Sequence, residues 1–577
     1  MSTKKGIFVY TIILLGLLFA MGVILTCIMF FFPSVQILGF QFVSTSSSDH
    51  IYYVTNENTT AQDHLLQINN NVAENIEVIN IDAEGFDIHI RTYDPGTSED
   101  HTLFKIHLVA QYAGYIKADG EHLSLLVNGS QSVLAGETET KNIVNFSVIE
   151  PEGLYVKTSC YIIICIPEDS MSYDELIINS GNGDIRISPD QESDSYQFNF
   201  DEPTGELFYN FNAVKITDTT GEITLGNVVI NDKLSITKTD GLLEMNTDIS
   251  ANVVLNATYG KYYFKDINIP SLGQDEYNVV INEKNANIIL KDIEGDVEFT
   301  SQTGLLRVGE IGGNFTSKRF VDNTTNSCDI EIEAINGSVV YIENKTGIIN
   351  IGRISKIANN LTQTDLSLIN VEISNTSGTI TINECMAQNV VITCTSGEII
   401  INECASNLEI SSTSGAIDVS YITSSSSLDG VTTTQLNQML ERLKEYSISL
   451  ISGDGEITCK NSVGALTLET TSDGNINAEI YDLNGLSSIT SKYGKINIKL
   501  STAIIDGYWL RWQTTKTADI DVLTYTGDDI KSSYDMPNDS YLVIDGYLKV
   551  RSELTPLGYL SLLSTKANIT VTEYIPS

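Results

Sequence analysis

Along the middle of the chain, apolar and polar positions alternate in short runs separated by Ser-Gly turns, and the whole phrase repeats. Ser377-Gly-Thr-Ile-Thr-Ile-Asn-Glu-Cys385 is followed by Ser396-Gly-Glu-Ile-Ile-Ile-Asn-Glu-Cys404 and then by Ser414-Gly-Ala-Ile-Asp-Val419. Their glycines, Gly378, Gly397 and Gly415, lie 19 and 18 residues apart. Equivalent phrases start at Gly221, Gly241, Gly260, Gly304, Gly347, Gly455, Gly474 and Gly494, and the first clear copy is Ser180-Gly-Asn-Gly-Asp-Ile-Arg-Ile187. Period-two alternation predicts a strand with one buried face. Each unit holds two such runs, for example Glu398 to Ile401 and then Leu408 and Ile410. A single unit of that size cannot bury its own inner face, whereas stacked units share one continuous core. With no helical crossovers in the pattern, residues 176–500 are expected to form a parallel β-helix, a β-solenoid of roughly 19-residue coils. About 4.8 Å per coil would make a rod on the order of 75 Å long.

The flanks break the period. Residues 65–175 alternate clearly, as in Phe86, Ile88 and Ile90, but without the repeat, which predicts a small antiparallel, sandwich-like cap. Residues 501–577 are expected to be a C-terminal β cap. Inside the solenoid, residues 421–450 are an insertion; Leu436, Met439, Leu440 and Leu443 fall on one face of a helix there. Fold class is therefore all-β, apart from this insertion and the N-terminal segment.

That N-terminal segment, residues 6–32, carries no charge and exceeds the roughly 20 residues needed to cross a bilayer. Lys4 and Lys5 precede it, and no Lys or Arg follows until Arg91. The positive-inside rule predicts a signal anchor with residues 1–5 cytoplasmic and everything after the span extracytoplasmic, on the cell surface. A cleaved signal and a secreted product is the alternative. Residues 41–63, with the run STSSSD, read as a polar stalk.

Charge and chemistry narrow the function. Against 33 Lys and Arg stand 74 Asp and Glu, a net charge of −41, which excludes nucleic acid as a direct partner. All six histidines lie before residue 123, so the rest of the chain holds no His-based triad or His-ligated metal. Acidic residues follow many repeat glycines: Asp184, Glu206, Glu222, Glu398 and Glu456. Their alternation with core isoleucines makes them a solvated face; weak Ca²⁺ binding, or a polysaccharide-active site, is the alternative. Cys385 and Cys404 occupy the same place in successive units, about 4.8 Å apart if stacked, within reach of a disulfide. A ladder of free buried thiols is the competing and favoured reading, because parallel side chains give poor disulfide geometry. Tyr508, Trp509, Trp512 and Tyr547 concentrate aromatic surface in the C-terminal region, either as cap or as a recognition surface for protein or glycan.

Three pieces then fall in a telling order: Val78-Ile-Asn-Ile-Asp-Ala-Glu-Gly-Phe-Asp-Ile-His-Ile90, Ile162-Ile-Ile-Cys-Ile-Pro167 and Leu176-Ile-Ile-Asn-Ser-Gly-Asn-Gly-Asp-Ile-Arg-Ile187. Together they resemble the bacterial adhesin-type domain of unknown function that carries Ser-Gly-Asp-Ile β-strand repeats. The resemblance covers roughly residues 75–500; the insertion and the aromatic tail depart from it. It implies a β-strand repeat fold and brings no catalytic motif or cofactor. The combined expectation is a membrane-anchored, non-catalytic binding or structural protein. An envelope sensor working through a membrane partner, and a polysaccharide-active β-helix enzyme, are the two alternatives.

Overall fold

The computed structural model describes residues 14–24, 40–55, 65–68, 75–93, 102–117, 123–133, 139–167, 172–191, 208–268, 279–319, 327–355, 369–421, 445–483, 485–501, 508–515, 520–522, 531–535, 541–548, 558–564, 567 and 569–574. It divides into two compact units, Met1–Ala251 and Asn252–Ser577.

In the first unit, the strand Ser172–Gly181 pairs in parallel with Tyr209–Asp218, which pairs in parallel with Val228–Lys238. Past the glycine turns, Ile185–Gln191, Ile223–Leu225 and Leu242–Met245 stack in the same way. The register sets core residue on core residue. Ile178, Ile216 and Ile236 form one column and Ile185, Ile223 and Leu243 another, all with no exposed surface. This is the coil read from the repeat: two strands per unit, with alternate side chains pointed inward.

The sandwich expected over residues 65–175 is not what the chain builds there. Val78–Asp82 pairs in parallel with Ser172–Gly181, and Asp87–Tyr93 with Ile185–Gln191. On their other side lie Thr140–Ile149 and Gly153–Pro167, again in parallel. The solenoid thus starts at Val78, and the coil that comes first in sequence sits between two that come later. Alternation reports which residues face inward but not strand direction, and each parallel neighbour here is far away in sequence. Among the described residues of this unit, antiparallel pairing is confined to a ribbon of Phe40–Thr55, Thr102–Lys117 and Gly153–Pro167, and to Ser124–Val133 on Thr140–Ile149. Most of the expected stalk is therefore a strand: Phe40–Thr55 runs along Thr102–Lys117, and its Ser-Thr run supplies ladder residues instead of a linker.

The second unit repeats the coil most regularly. Ile380, Ile399, Ile417, Ile457, Ile476 and Ile496 form a vertical column in successive parallel strands. The column continues past residue 500 to Ile569, because Ile569–Tyr574 pairs in parallel with Ile496–Ser501, and Gly558–Ser564 with Gly485–Ser491. The C-terminal region is thus partly a further coil. Tyr508–Thr515 and Ile520–Val522 then stack in parallel on that coil. Among the described residues of this unit, antiparallel pairing belongs to Tyr541–Leu548, with Tyr508–Thr515 on one side and Lys531–Asp535 on the other.

Residues 14–24 form a helix with exposed side chains. Among the described residues no helix is long and apolar enough to cross a membrane. The rest of segment 6–32, and residues 422–444 of the expected helical insertion, lie outside the described residues.

The turn glycines explain how tightly the coils stack. A Cβ on Gly415 would sit 1.8 Å from the carbonyl oxygen of Gly397, and one on Gly397 would sit 1.8 Å from that of Gly378. The same collision recurs at Gly455 against Gly415, at Gly474 against Gly455 and at Gly494 against Gly474. The demand is for space, since real Cβ atoms are not found that close to a backbone oxygen. Gly378 adds a second demand, with φ at +107°. Gly415→Ala is expected to cost about 3 kcal/mol, because the backbone of one coil must move off the next. Thr413→Ala, at an exposed position of the same turn, should stay within about 0.5 kcal/mol of wild type. Chemical denaturation followed by circular dichroism compares the two; equal midpoints would overturn the role given to the glycine.

Candidate functional site

At the corner before many of the turns, the chain places a polar side chain inside the core. Asn375, Cys394, Ser412, Ser452, Thr470, Ser491 and Ser564 are in register from strand to strand, and all are buried. Their partners are the turn backbones. Ser412 Oγ accepts the N–H of Gly415 at 2.8 Å, Ser452 Oγ that of Gly455 at 2.9 Å and Ser491 Oγ that of Gly494 at 2.9 Å. Ser452 Oγ also donates to the carbonyl of Gly415 one coil away, at 3.1 Å. Cys394 Sγ takes the same acceptor role toward Gly397 N, at 3.1 Å. The first unit does likewise at Ser180, whose Oγ accepts from Gly183 N at 3.1 Å. A side chain three residues before the glycine therefore satisfies amides that water cannot reach. Reading the repeat as Ser-Gly missed this spacing. The signal was present as Ser/Cys/Asn-x-x-Gly, with the polar residue on the apolar phase of the strand.

Among the described residues, each unit also buries charged side chains at an equivalent corner. In the first unit Lys238 and Asp218 form an ion pair with no exposed side-chain surface, and Lys238 also donates to the carbonyl of Gly221. Burial still pushes the Asp218 carboxyl above its usual range, against the lowering by Lys238. In the second unit Glu283 is fully buried. Its carboxylate accepts from Ser301 Oγ and from the N–H of Ala286 at 2.8 Å. Burial outweighs both bonds and raises its pKa from 4.5 to about 7. Cys328 lies beside it, its thiol pushed up to about 12 by burial.

The acidic residues after the turn glycines reach toward the neighbouring coil. Asp87 Oδ1 accepts the N–H of Asp184 at 2.9 Å, and Asp184 Oδ1 that of Glu222 at 2.8 Å. Asp292 does so for Glu310, Asp296 for Asn314 and Asp329 for Ile348, at 2.7 to 2.8 Å. Glu456 instead accepts from the side-chain amide of Asn477 at 2.7 Å. Glu398 is exposed, and Glu206 lies outside the described residues. Among the described residues no group of three His, Cys, Asp or Glu is placed to hold a metal ion. His89 is buried, and its pKa falls to about 3 through burial and then through Arg91 and Arg186, which keeps it neutral. His107 packs edge-on to Tyr161.

Cys385 and Cys404 stand in register in adjacent strands, both free and fully buried. The bond between them that spacing allowed is not formed; the side chains leave parallel strands in the same direction. Cys404 is continued by Tyr421, whose hydroxyl donates to the carbonyl of Ser406 at 3.0 Å. Burial holds the Cys404 thiol well above its usual range.

The four aromatic positions do not gather as one set. Trp509 pairs with Tyr547 across one strand boundary and with Tyr559 across the other, and Tyr559 pairs with Leu486, which is 79% exposed. Positions 486, 559, 509 and 547 thus make one row over four strands. Tyr508 pairs with Leu548 and Gly558, and Trp512 with Ile544 and Leu562. Offsets of one and three residues from position 509 put these two positions on the opposite sheet face.

The buried carboxyl predicts a pH dependence. Folded Glu283 holds its proton up to about 7, whereas the unfolded chain releases it near 4.5. Its contribution is fully present below pH 4.5 and lost as pH rises to 7, a change of about 3 kcal/mol. Glu283→Gln should flatten that segment of the stability profile. Urea midpoints of both proteins at pH 5 and pH 8 test this, and a wild-type slope that survives in the variant would refute it.

The family model described as Toastrack DUF4097, a domain of unknown function, matches residues 76–334 and again residues 316–434. No curated protein and no solved structure matches the chain. The first match begins two residues before Val78, where the parallel coils begin, and the second takes in the regular coils of Ile380, Ile399 and Ile417. With more than half of its length matched, the chain belongs to the Toastrack DUF4097 family.

Proposed function

We propose that this protein is a non-catalytic binding or structural protein, adhesin-like, held in a membrane by residues 6–32 with its C-terminal region outside the cell. The observation that carries this reading is the use of its polar chemistry. Side chains that would act in a β-helix enzyme are tied to backbone. The Asp87, Asp184, Asp292, Asp296 and Asp329 carboxylates each accept an N–H from a neighbouring coil. Buried hydroxyls bond turn amides in the same way. A carboxylate held in such a bond serves as a strut and is poorly placed to move between acid and base roles. What the coils offer to a partner is extended outer surface.

We place the contact region at the register row of positions 486, 559, 509 and 547. It joins an exposed leucine to three aromatic positions, the residue types that dominate recognition. A protein or glycan is the expected ligand, and the charge of −41 disfavours nucleic acid. Full-length protein in lipid nanodiscs, screened on a glycan array and on extracellular-matrix proteins with and without Ca²⁺, tests the reading. Trp509→Ala should weaken whichever ligand is found by about tenfold or more, on the order of 1.4 kcal/mol. Retained affinity would move the contact region elsewhere, and turnover of a polysaccharide would replace the binding reading with an enzymatic one.

A further inference from the structure

The ribbon of Phe40–Thr55, Thr102–Lys117 and Gly153–Pro167 changes character along its length. From Cys160 to Pro167 the third strand is almost wholly buried, and it pairs with the first coil through Ile162 and Ile164. From Gly153 to Ser159 it is mostly exposed. The change falls at a bulge opposite Val109 and Gln111, where Ser159 takes φ of 54°. Beyond that bend the three strands continue as a ribbon with two unlike faces. On one face Tyr112 and Ile116 are buried, Tyr155 packs edge-on to Tyr112, and Lys157 pairs with Glu150. On the other, Leu154 is 81% exposed and Val156 is 67% exposed. These values are high for apolar side chains in a paired strand, where one face is ordinarily buried.

Register identifies which end of the ribbon this is. Leu154 pairs with Tyr115, and Tyr115 pairs with Phe42, near the start of the first strand. The exposed apolar pair therefore lies at the end where the chain enters from its N-terminal segment. Only seven residues, 33–39, separate Phe32, the last residue of the uncharged segment, from Phe40. Seven residues span at most about 25 Å, so this end of the ribbon stays within that distance of wherever residue 32 is held. Among the described residues beside it, Lys117 and Glu152 pair with each other at 2.9 Å and cancel in charge.

We propose that the ribbon end bearing Leu154 and Val156 is a second membrane contact, which rests on the surface of the bilayer that anchors residues 6–32. The partner is a lipid surface with zwitterionic headgroups, since a chain of net charge −41 is repelled by anionic ones. The two apolar side chains would enter the headgroup and acyl boundary, as residues of interfacial segments do. The contact would fix the stance of the ribbon, with its end against the lipid. This inference rests on the anchoring reading above, and the experiment separates the two.

The test uses the full chain, carrying Cys27→Ser, in phosphatidylcholine vesicles. The other seven cysteines are buried, so a single introduced cysteine takes an environment-sensitive fluorophore. Labels go at Leu17→Cys in the helix, Leu154→Cys, Thr158→Cys and the exposed turn position Thr413→Cys. Position 158 lies four residues along the strand from 154, about 13 Å farther from the ribbon end. The expected result is a blue-shifted label at 154 that is quenched by nitroxide lipids, a label at 158 quenched less, and one at 413 not quenched. If 17 is quenched but 154 behaves like 413, the second contact is wrong while the anchor stands. If 17 is also unquenched, anchor and contact fail together. Val156→Cys provides an independent site should the 154 variant not fold.

Discussion

Everything in the coil depends on how closely one turn backbone can lie on the next. Parallel strands stack at about 4.8 Å, and the turns between them must close at the same pitch or the ladders part. Glycine meets that demand because the space a Cβ would need is filled by the carbonyl oxygen of the glycine one coil away, 1.8 Å from it at Gly397 and Gly415. Such packing strips water from the turn amides, so their hydrogen bonds must come from inside. The polar column three residues upstream supplies them, which is why Ser412, Ser452 and Ser491 are buried at positions a plain hydrophobic pattern would fill with isoleucine. Glycine and buried hydroxyl are two parts of one device.

The same device accepts other chemistry at its margins. Lys238 and Asp218 fill the corner with opposite charges, and Glu283 fills it with a carboxyl that is easier to bury protonated. Outside the corner, carboxylates such as Asp184 and Asp292 continue the tie between coils on the wet side. The large negative charge is therefore not one undivided surface. Among the described residues part of it is bonded to backbone, part is ion-paired and part, such as Glu398, faces solvent, and the net excess disfavours association with nucleic acid and anionic lipid.

Each unit also solves the problem of an end. A last parallel coil leaves a row of unpaired backbone groups ready to pair with another chain. In the first unit the coil of Val78–Asp82 and Asp87–Tyr93 lies inside a later one, and antiparallel strands line that later coil. In the second, the coil of Gly558–Ser564 and Ile569–Tyr574 lies inside Tyr508–Thr515 and Ile520–Val522, with Tyr541–Leu548 antiparallel beyond. In each unit the coil that is outermost in sequence order is not the outermost coil of the stack. That placement guards it from fraying, since it is paired on both edges.

The amino-acid sequence by itself determined the repeat, the inward phase of each strand and the register of the regular coils. A shift of one residue would turn Ile399 and Ile401 outward, and the glycine column allows no other alignment. It also determined that Cys385 and Cys404 would be neighbours. Tertiary structure decided what depends on partners distant in the chain. Val78–Asp82 reads the same whether it joins a sandwich or a coil, and only its pairing with Ile177 and its neighbours makes it a coil. Phe40–Thr55 looked like a linker because its Ser-Thr run lacks an apolar phase, yet a full-length partner strand made it structure. Positions 509 and 547 fell in register, and positions 508 and 512 fell elsewhere, because strand pairing and an antiparallel return set the row. Local pattern specifies which side of a strand is buried; direction, order and neighbour are properties of contacts that no local window contains.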